Sequence, residues 1–234
     1  MIILAVDTSG PVCGVSVRRD GNTVYEAAAV NKMTHSVSLL PMCEEALTRS
    51  GLDISDVDLF AAVTGPGSFT GVRIGVSCVK GMAHGAGKPC TGVNALEALA
   101  AGLPLAEGML LCPIQDARAG QVYGAAFLPG LPPVRVMNDR AQKLEDFLAE
   151  AQSAAAGRRL CLLGDGVKPN LARIKAALGE DTLIAPETAR YLRPANVAAL
   201  AETQPEMDYL QLMPIYLRAP QAERERARKL EGQA

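Results

Sequence analysis

Three residues near the start of the chain, Asp7, Thr8 and Ser9, combine a carboxylate with two hydroxyls directly after an apolar run at residues 2–6. At a turn between two strands, hydroxyls and backbone N–H groups can contact phosphate oxygens, and a carboxylate can help to position a metal ion. An ordinary hairpin whose Asp and Ser side chains satisfy the turn backbone explains the same residues. The pattern therefore indicates either a phosphate loop or a plain hairpin.

A second candidate is the glycine-rich segment at residues 65–73, with the sequence Gly-Pro-Gly-Ser-Phe-Thr-Gly-Val-Arg. Glycine and proline favour a tight loop, Ser68 or Thr70 can cap the helix that follows, and the N-terminus of a helix can bind an anion. The segment lacks the Lys-Ser/Thr ending with which a P-loop contacts phosphate and Mg²⁺. Loop geometry alone is a sufficient explanation of its composition.

Histidine and cysteine spacing gives no support to a metal site, and the sequence predicts neither a metal nor a cofactor. The two histidines, His35 and His84, fall on different predicted helices without a His-x-x-x-His partner. The six cysteines contain no Cys-x-x-Cys pair and are interpreted as reduced, buried, small hydrophobic residues. The cysteines are Cys13, Cys43, Cys78, Cys90, Cys112 and Cys161.

Composition predicts a globular protein, since 49% of the 234 residues are hydrophobic and 21% are charged. The formal net charge is −2 and the basic residues are scattered, which excludes a self-sufficient nucleic-acid binder. If RNA is a partner, another subunit is expected to hold it. The sequence predicts no membrane span and no signal peptide. Six separated cysteines in a chain too large to need disulfides predict a reduced, cytoplasmic setting.

Alternating strand and helix signals predict a two-lobed α/β protein. The order strand, acidic turn, strand at residues 109–127 repeats the order at residues 2–18, as a duplicated domain would. We divide the chain into an N-terminal lobe at residues 1–104, a smaller C-terminal lobe at 105–218 and a charged segment at 219–234. Helices are predicted at residues 34–50, 72–86, 94–101, 143–151, 170–178 and 221–232.

The helix predicted after the glycine-rich loop carries two stripes of small or apolar side chains. Gly71, Gly75, Cys78 and Met82 form one stripe, and the other consists of Val72, Val76, Val79 and Ala83. Small residues allow a second helix to approach closely, which is typical of a partner surface. Packing within the lobe explains the stripes equally well, because buried helices beside sheets are also rich in small residues.

Four segments together resemble the TsaB (YeaZ-like) family. They are residues 3–9, 65–72, 116–123 and 214–218, and they occur in the family's order over nearly the whole chain. The resemblance implies an actin-like and sugar-kinase-like fold, a duplicated ribonuclease H-like arrangement. It also implies a non-catalytic subunit that binds and activates the TsaD subunit, which transfers a threonylcarbamoyl group to the adenosine beside the anticodon of tRNA.

The same resemblance implies further partners: the TsaE ATPase subunit, a second copy of the chain, and tRNA only through the complex. In the family, helices of the N-terminal lobe pair with those of TsaD. Helical spacing combined with this resemblance predicts an interface, and its members are Val37, Leu40, Glu44, Arg73, Val76, Ser77, Lys80 and His84.

Departures from related enzymes predict that this chain is not an enzyme. TsaD carries a metal motif Asn-His-Leu-Glu-Gly-His, and the matching segment at residues 94–99 has Ala95 and Leu99 at the two histidine positions. ATP-driven relatives carry a glycine pair that packs on the adenosine, and this chain has no Gly-Gly dipeptide. The segment Gly164-Asp165-Gly166 is either a vestigial second phosphate loop or an Asp-Gly turn. An independent ATPase or small-molecule kinase remains the main alternative. A peptidase is the second alternative. The sequence offers no Ser-His-Asp arrangement for it, and the missing histidine pair removes a metal-dependent mechanism.

Overall fold

The computed structural model describes residues 1–30 and 34–218, which form two units that each contain one five-stranded sheet. The predicted C-terminal helix at 221–232 lies outside the described residues. The first unit comprises β1 (Ile2–Asp7), β2 (Cys13–Arg19), β3 (Asn22–Ala29), α1 (His35–Arg49), β4 (Leu59–Gly65), α2 (Phe69–Ala86), β5 (Cys90–Asn94) and α3 (Ala95–Ala100). The second comprises β6 (Met109–Asp116), β7 (Gln121–Leu128), β8 (Val134–Lys143), α4 (Leu144–Ala154), β9 (Arg159–Leu163), α5 (Val167–Leu178), β10 (Leu183–Ile184) and α6 (Pro194–Ala201).

The two sheets have the same topology. Their strand orders are β3-β2-β1-β4-β5 and β8-β7-β6-β9-β10. In each sheet the first three strands are antiparallel. The fourth strand pairs in parallel with the first, and the fifth pairs in parallel with the fourth. This repeat confirms the predicted two-lobed α/β fold of the duplicated, actin-like type.

Five layers stack in the molecule. The helices α1 and α2 cover the outer face of the first sheet, and α4 and α5 cover the outer face of the second. Between the sheets lie α3 and α6, in one hydrophobic cluster that joins side chains of both units. The last helix of each unit packs on the sheet of the other unit, since α3 contacts β6 and β7 while α6 contacts β1 and β2. Each unit therefore completes the core of its neighbour.

Local sequence signals account for the helix that carries the glycine-rich loop. Ser68 is the N-cap of α2, and its hydroxyl accepts a hydrogen bond from the Gly71 N–H at 3.2 Å. Gly87 ends the helix in the left-handed conformation, as a C-terminal glycine commonly does. Thr34 precedes α1 at the predicted position but makes no side-chain capping bond, and Pro41 lies in the interior of that helix.

The C-terminal part of the chain returns to the first sheet. Residues after β10 form α6, which packs on β1 and β2, and the following segment bonds to β5 through the backbone of Met207 and Cys90. The predicted boundary near residue 104 separates the two sheets. The predicted lobe at 105–218 is corrected, because α6, Met207 and Ile215 lie within it and yet contact strands of the first sheet.

In the part of the chain that the structure describes, none of the helices is both long enough and apolar enough to cross a membrane.

Candidate interlobe cleft and outer helix surface

The loop at Asp7–Ser9 is buried, and several of its polar groups are bonded within the chain. Each of the three residues is 1% exposed. The Thr8 hydroxyl donates to the Gly71 carbonyl at 2.7 Å, and the Ser9 N–H donates to the Asp7 Oδ1 atom at 2.8 Å. The Ser9 carbonyl accepts from the Ser68 N–H at 2.7 Å. Several groups that a phosphate would need are thus already engaged.

The glycines of the 65–73 segment allow the loop to approach this hairpin closely. A Cβ atom at Gly71 would lie 2.0 Å from the Thr8 carbonyl oxygen, and one at Gly67 would lie 2.3 Å from that of Ser9. Such distances exclude any side chain without a backbone shift. In the second unit, a Cβ at Gly164 would lie 2.1 Å from the Ile114 carbonyl oxygen. In each unit, therefore, a glycine-containing turn lies close to the backbone of that unit's first hairpin.

A cleft of about 620 Å³ opens between the units beside these hairpins. Ser9, Ser68, Asp165 and Tyr216 contribute to its walls. Burial raises the pKa of Asp165 to about 6, and the nearby Asp116 carboxylate adds to the rise. Within residues 1–30 and 34–218, no group of three or more His, Cys, Asp and Glu side chains is arranged to hold a metal ion.

Asp7 lies behind the cleft wall, in a small space that it shares with Asp165 and Gln115. Burial raises the pKa of Asp7 to about 6, and hydrogen bonds from Ser9 oppose the rise. Among the described residues, the Asp7 Oδ2 and Gln115 Oε1 atoms have no hydrogen-bond partner. The interlobe region therefore contains two carboxyl groups that burial disfavours in the ionised form.

The segment at residues 94–99 is a structural helix start. The Asn94 side chain caps α3 by accepting from the N–H groups of Leu96 and Glu97, and its amide donates to Asp139 at 2.5 Å. Burial raises the pKa of Glu97. Ala95 and Leu99, at the positions of the two histidines in the TsaD motif, are buried in the cluster between the sheets. These apolar side chains contribute to the core and offer no metal ligand.

The face of α2 that points outward is polar. Arg73, Ser77 and His84 are exposed, as the interface prediction requires. Val76 is 3% exposed and packs in the cluster against the first sheet, so its predicted place in the interface is wrong. Both predicted stripes on this helix are largely buried within the unit, because the helix packs on β4 and β1. Packing within the lobe is therefore their explanation.

The outward face of α1 is partly apolar. Val37 is 58% exposed and Leu40 is 57% exposed, and Glu44 is exposed one turn further along. Between α1 and α2 runs a groove of about 550 Å³. Its lining consists of Ser36, Leu39, Leu40, Phe69, Thr70, Arg73, Ile74, Ser77 and Cys78. We call the exposed faces of α1 and α2 together with this groove the outer helix surface.

A C-terminal strap at residues 207–216 borders this surface along α2. The Tyr209 ring lies 4.4 Å from the His84 ring, and the Lys80 ammonium donates to the Leu212 carbonyl at 3.2 Å. Tyr216 stacks on Phe69 at 4.6 Å, and its hydroxyl accepts from Arg73 at 2.7 Å. Sequence reasoning missed the strap, because its residues have neither helical nor strand periodicity. The family match at 214–218 was the only signal there.

Comparison with known proteins agrees with this geometry. The profile of the family described as "TsaD: tRNA N6-adenosine threonylcarbamoyltransferase" matches residues 28–149. The Bacillus subtilis "tRNA threonylcarbamoyladenosine biosynthesis protein TsaB" is 33% identical over 225 residues, which are 95% of this chain and 96% of that protein. The chain belongs to the TsaB (YeaZ-like) family. The resemblance predicted from the four sequence segments is thereby confirmed.

Other members of the TsaB family match in sequence and in structure. The Escherichia coli TsaB protein is 41% identical over 129 residues, which are 54% of this chain and 55% of that protein. A Pseudomonas aeruginosa protein described as similar to the peptidase YeaZ superposes with a TM-score of 0.77 and 25% identity, over 93% of this chain and 99% of that one. The TsaB-family fold thus extends over both sheets of the chain.

Proposed function

We propose that this TsaB-family chain acts in tRNA threonylcarbamoyladenosine biosynthesis as a non-catalytic subunit. In this proposal it binds and activates a TsaD-type threonylcarbamoyltransferase through the outer helix surface. The chain's own tRNA contacts are expected to be made only within the complex, in keeping with its net charge of −2. Binding of the TsaE ATPase subunit remains a prediction from the family resemblance.

The observation that carries the proposal is the exposed apolar pair on α1. Val37 and Leu40 each expose more than half of their surface, although α1 buries Leu39 and Cys43 on its other side. The adjacent groove adds Ile74 and Phe69, with Arg73 fixed over the Phe69 ring at 3.8 Å. Apolar side chains surrounded by polar ones, with an ordered arginine, are typical of protein interfaces.

Charge on the outer helix surface suits a second copy of the chain. Glu44 and Glu45 lie on α1, where Glu45 pairs with Arg49, whereas Arg73 and Lys80 lie on α2. A two-fold axis between two such surfaces would set the acidic helix of one copy against the basic helix of the other. We therefore propose that self-association and binding of the catalytic subunit use overlapping parts of this surface and compete with each other.

The alternative, an independent ATPase or kinase at Asp7, Thr8 and Ser9, has less support from the geometry. The Thr8 hydroxyl bonds to Gly71, and each of the three residues is 1% exposed, although Ser9 contributes to the wall of the cleft. The segment at 94–99 supplies no ligands of the TsaD type. A subunit that acts through a surface needs neither feature.

The proposal is tested by measuring threonylcarbamoyl incorporation into tRNA by a TsaD-type subunit, with the other pathway components supplied, in the presence and absence of this chain. Incorporation should depend on the chain. Leu40→Asp should lower incorporation at subsaturating chain concentration by at least about tenfold, which corresponds to about 1.4 kcal/mol of binding free energy. Asp7→Asn should retain incorporation, because the Asp7 side chain is buried behind the cleft and is not part of the outer helix surface.

Leu171→Asp is a matched control, since Leu171 is an exposed leucine on α5, on the outer side of the second sheet. This variant should behave as the unmodified chain. Incorporation that is indifferent to the chain would overturn the subunit assignment. Dependence on the chain with an unaffected Leu40→Asp variant would overturn only the assigned surface. ATP hydrolysis by the pure chain that Asp7→Asn abolishes would support the enzymatic alternative.

A further inference from the structure

Two cysteines, Cys43 and Cys78, lie on the facing sides of α1 and α2. These helices pack directly against each other, and both side chains belong to the hydrophobic cluster beneath them. Cys43 is 3% exposed, whereas Cys78 is half-buried and lines the groove of the outer helix surface. One thiol is therefore reachable from solvent and the other lies behind it.

The two thiols interact and differ in acidity. The neighbouring Cys43 thiol is the main cause that lowers the pKa of Cys78, and the Cys78 thiol is the main cause that raises the pKa of Cys43. Burial raises the pKa of each of the other four cysteines, which for Cys13 reaches about 11. All six cysteines lie in the described residues, and Cys78 alone has a lowered pKa. Cys78 is the member of the pair that lines the groove and reaches solvent, and access is one of the conditions of thiol reactivity.

We propose that Cys78 and Cys43 form an oxidisable dithiol site, at which a peroxide that enters the groove between α1 and α2 converts the two thiols into a disulfide. The attacking group is the accessible Cys78, and the resolving group is the buried Cys43. This assignment concerns the free chain and does not depend on the proposed partner.

The reaction balances with hydrogen peroxide as the oxidant. The Cys78 sulfur attacks one peroxide oxygen, the O–O bond breaks, and the departing hydroxide takes up the proton released by Cys78 to give water and a sulfenic acid. The Cys43 sulfur then attacks the Cys78 sulfur, the S–O bond breaks, and the hydroxide leaves as water with the Cys43 proton. One peroxide is reduced to two waters, and two thiols are oxidised to one disulfide.

The product would join α1 to α2 under the groove. A disulfide constrains the distance between the two Cα atoms, so the bond would fix the spacing between the helices below Leu40 and Ile74. A dithiol reductant reverses the bond by exchange. The shape of the groove would thus depend on the oxidation state of the pair.

Peptide mapping of the full chain tests the site without any variant. The reduced native protein is treated with hydrogen peroxide, its remaining thiols are alkylated, and the protein is digested with trypsin. The peptides are then identified by mass spectrometry without reduction. Cleavage after lysine and arginine places Cys43 in residues 33–49 and Cys78 in residues 74–80, while Cys13 lies in residues 1–18. The expected result is a linked pair of the first two peptides, the loss of two of the six thiols, and full reversal by dithiothreitol.

Three variants assign the roles. Cys78→Ser should abolish the linked peptide, Cys43→Ser should leave a sulfenic acid at Cys78 that dimedone traps, and Cys13→Ser, the matched control, should retain the linkage. A Cys78 thiol that stays reduced at peroxide concentrations that oxidise free glutathione would overturn the proposal. Linkage of Cys78 to Cys13, or a persistent sulfenic acid at Cys78 in the unmodified chain, would overturn the role of Cys43.

Discussion

Asp7 should destabilise the folded chain at neutral pH, and Asp7→Asn should relieve that effect. The carboxyl group is fully buried, and burial raises its pKa from 3.8 to about 6. Below the lower value the group is neutral in both the folded and the unfolded chain. Between the two values only the unfolded chain releases the proton, so the free energy of unfolding falls as the pH rises. Above about 6 the whole cost is present.

The magnitude follows from the size of the pKa rise. At about 1.4 kcal/mol for each pKa unit, a rise from 3.8 to about 6 corresponds to about 3 kcal/mol. Asparagine can still accept from the Ser9 N–H, but its amide nitrogen would need an acceptor where the Asp7 Oδ2 atom has no partner among the described residues. Leaving that donor unpaired costs about 1 kcal/mol or more. A net stabilisation of about 2 kcal/mol is therefore expected at pH 7.5.

Urea denaturation of both proteins at pH 7.5 and pH 4 measures this effect. The cost of the unpaired amide is present at both pH values, so the advantage of the variant should shrink by about 2 kcal/mol on going to pH 4. Asp181→Asn, at an exposed carboxylate in the turn before β10, is the control and should show no such difference. An Asp7→Asn variant whose advantage is the same at both pH values would refute the reasoning.

Two further predictions concern the supports of the site. Gly71→Ala places a Cβ atom 2.0 Å from a backbone oxygen and should destabilise the chain by about 2 kcal/mol or more. Gly81→Ala in the same helix meets open space and should stabilise the chain by up to about 1 kcal/mol. Chemical denaturation compares them, and equal effects would contradict the close contact. Glu26→Ala removes the carboxylate that accepts from Arg193 and from the Ala195 N–H, and should cost about 2 kcal/mol in thermal denaturation. An unchanged melting temperature would contradict the anchoring role of Glu26.

Much of the fold could be predicted from the sequence, because its signals are local. Strand periodicity located β1, β2, β6 and β7, and the cap residues Ser68 and Asn94 begin α2 and α3 as predicted. The weak repeat between residues 2–18 and 109–127 corresponds to two hairpins with the same place in equivalent sheets. These features depend on residues close together in the chain, so one sequence is enough to find them.

Other features depend on contacts between distant residues. The edge strand β8 has a mostly polar sequence, and α6 is apolar on nearly every side because sheets and helices surround it. Neither therefore shows the period on which prediction relies. For α2 the spacing gave two stripes but did not indicate that both are buried within the unit, and so Val76 was misplaced. The pairing of Cys43 with Cys78 likewise requires knowledge of how α1 packs on α2.

The exchange of helices between the units explains how a chain without an open phosphate loop can still present a fixed surface. The helix α6 packs on β1 and β2, and Glu26 on β3 binds the N-terminal turn of α6. Separating the units would therefore expose the inner face of the sheet that supports α1 and α2. The glycine contacts at Gly67 and Gly71 hold α2 to the first hairpin from the other side. The second unit therefore supports the outer helix surface through the first sheet. Rigid presentation lowers the entropy lost when a partner binds, which the subunit role proposed above would require.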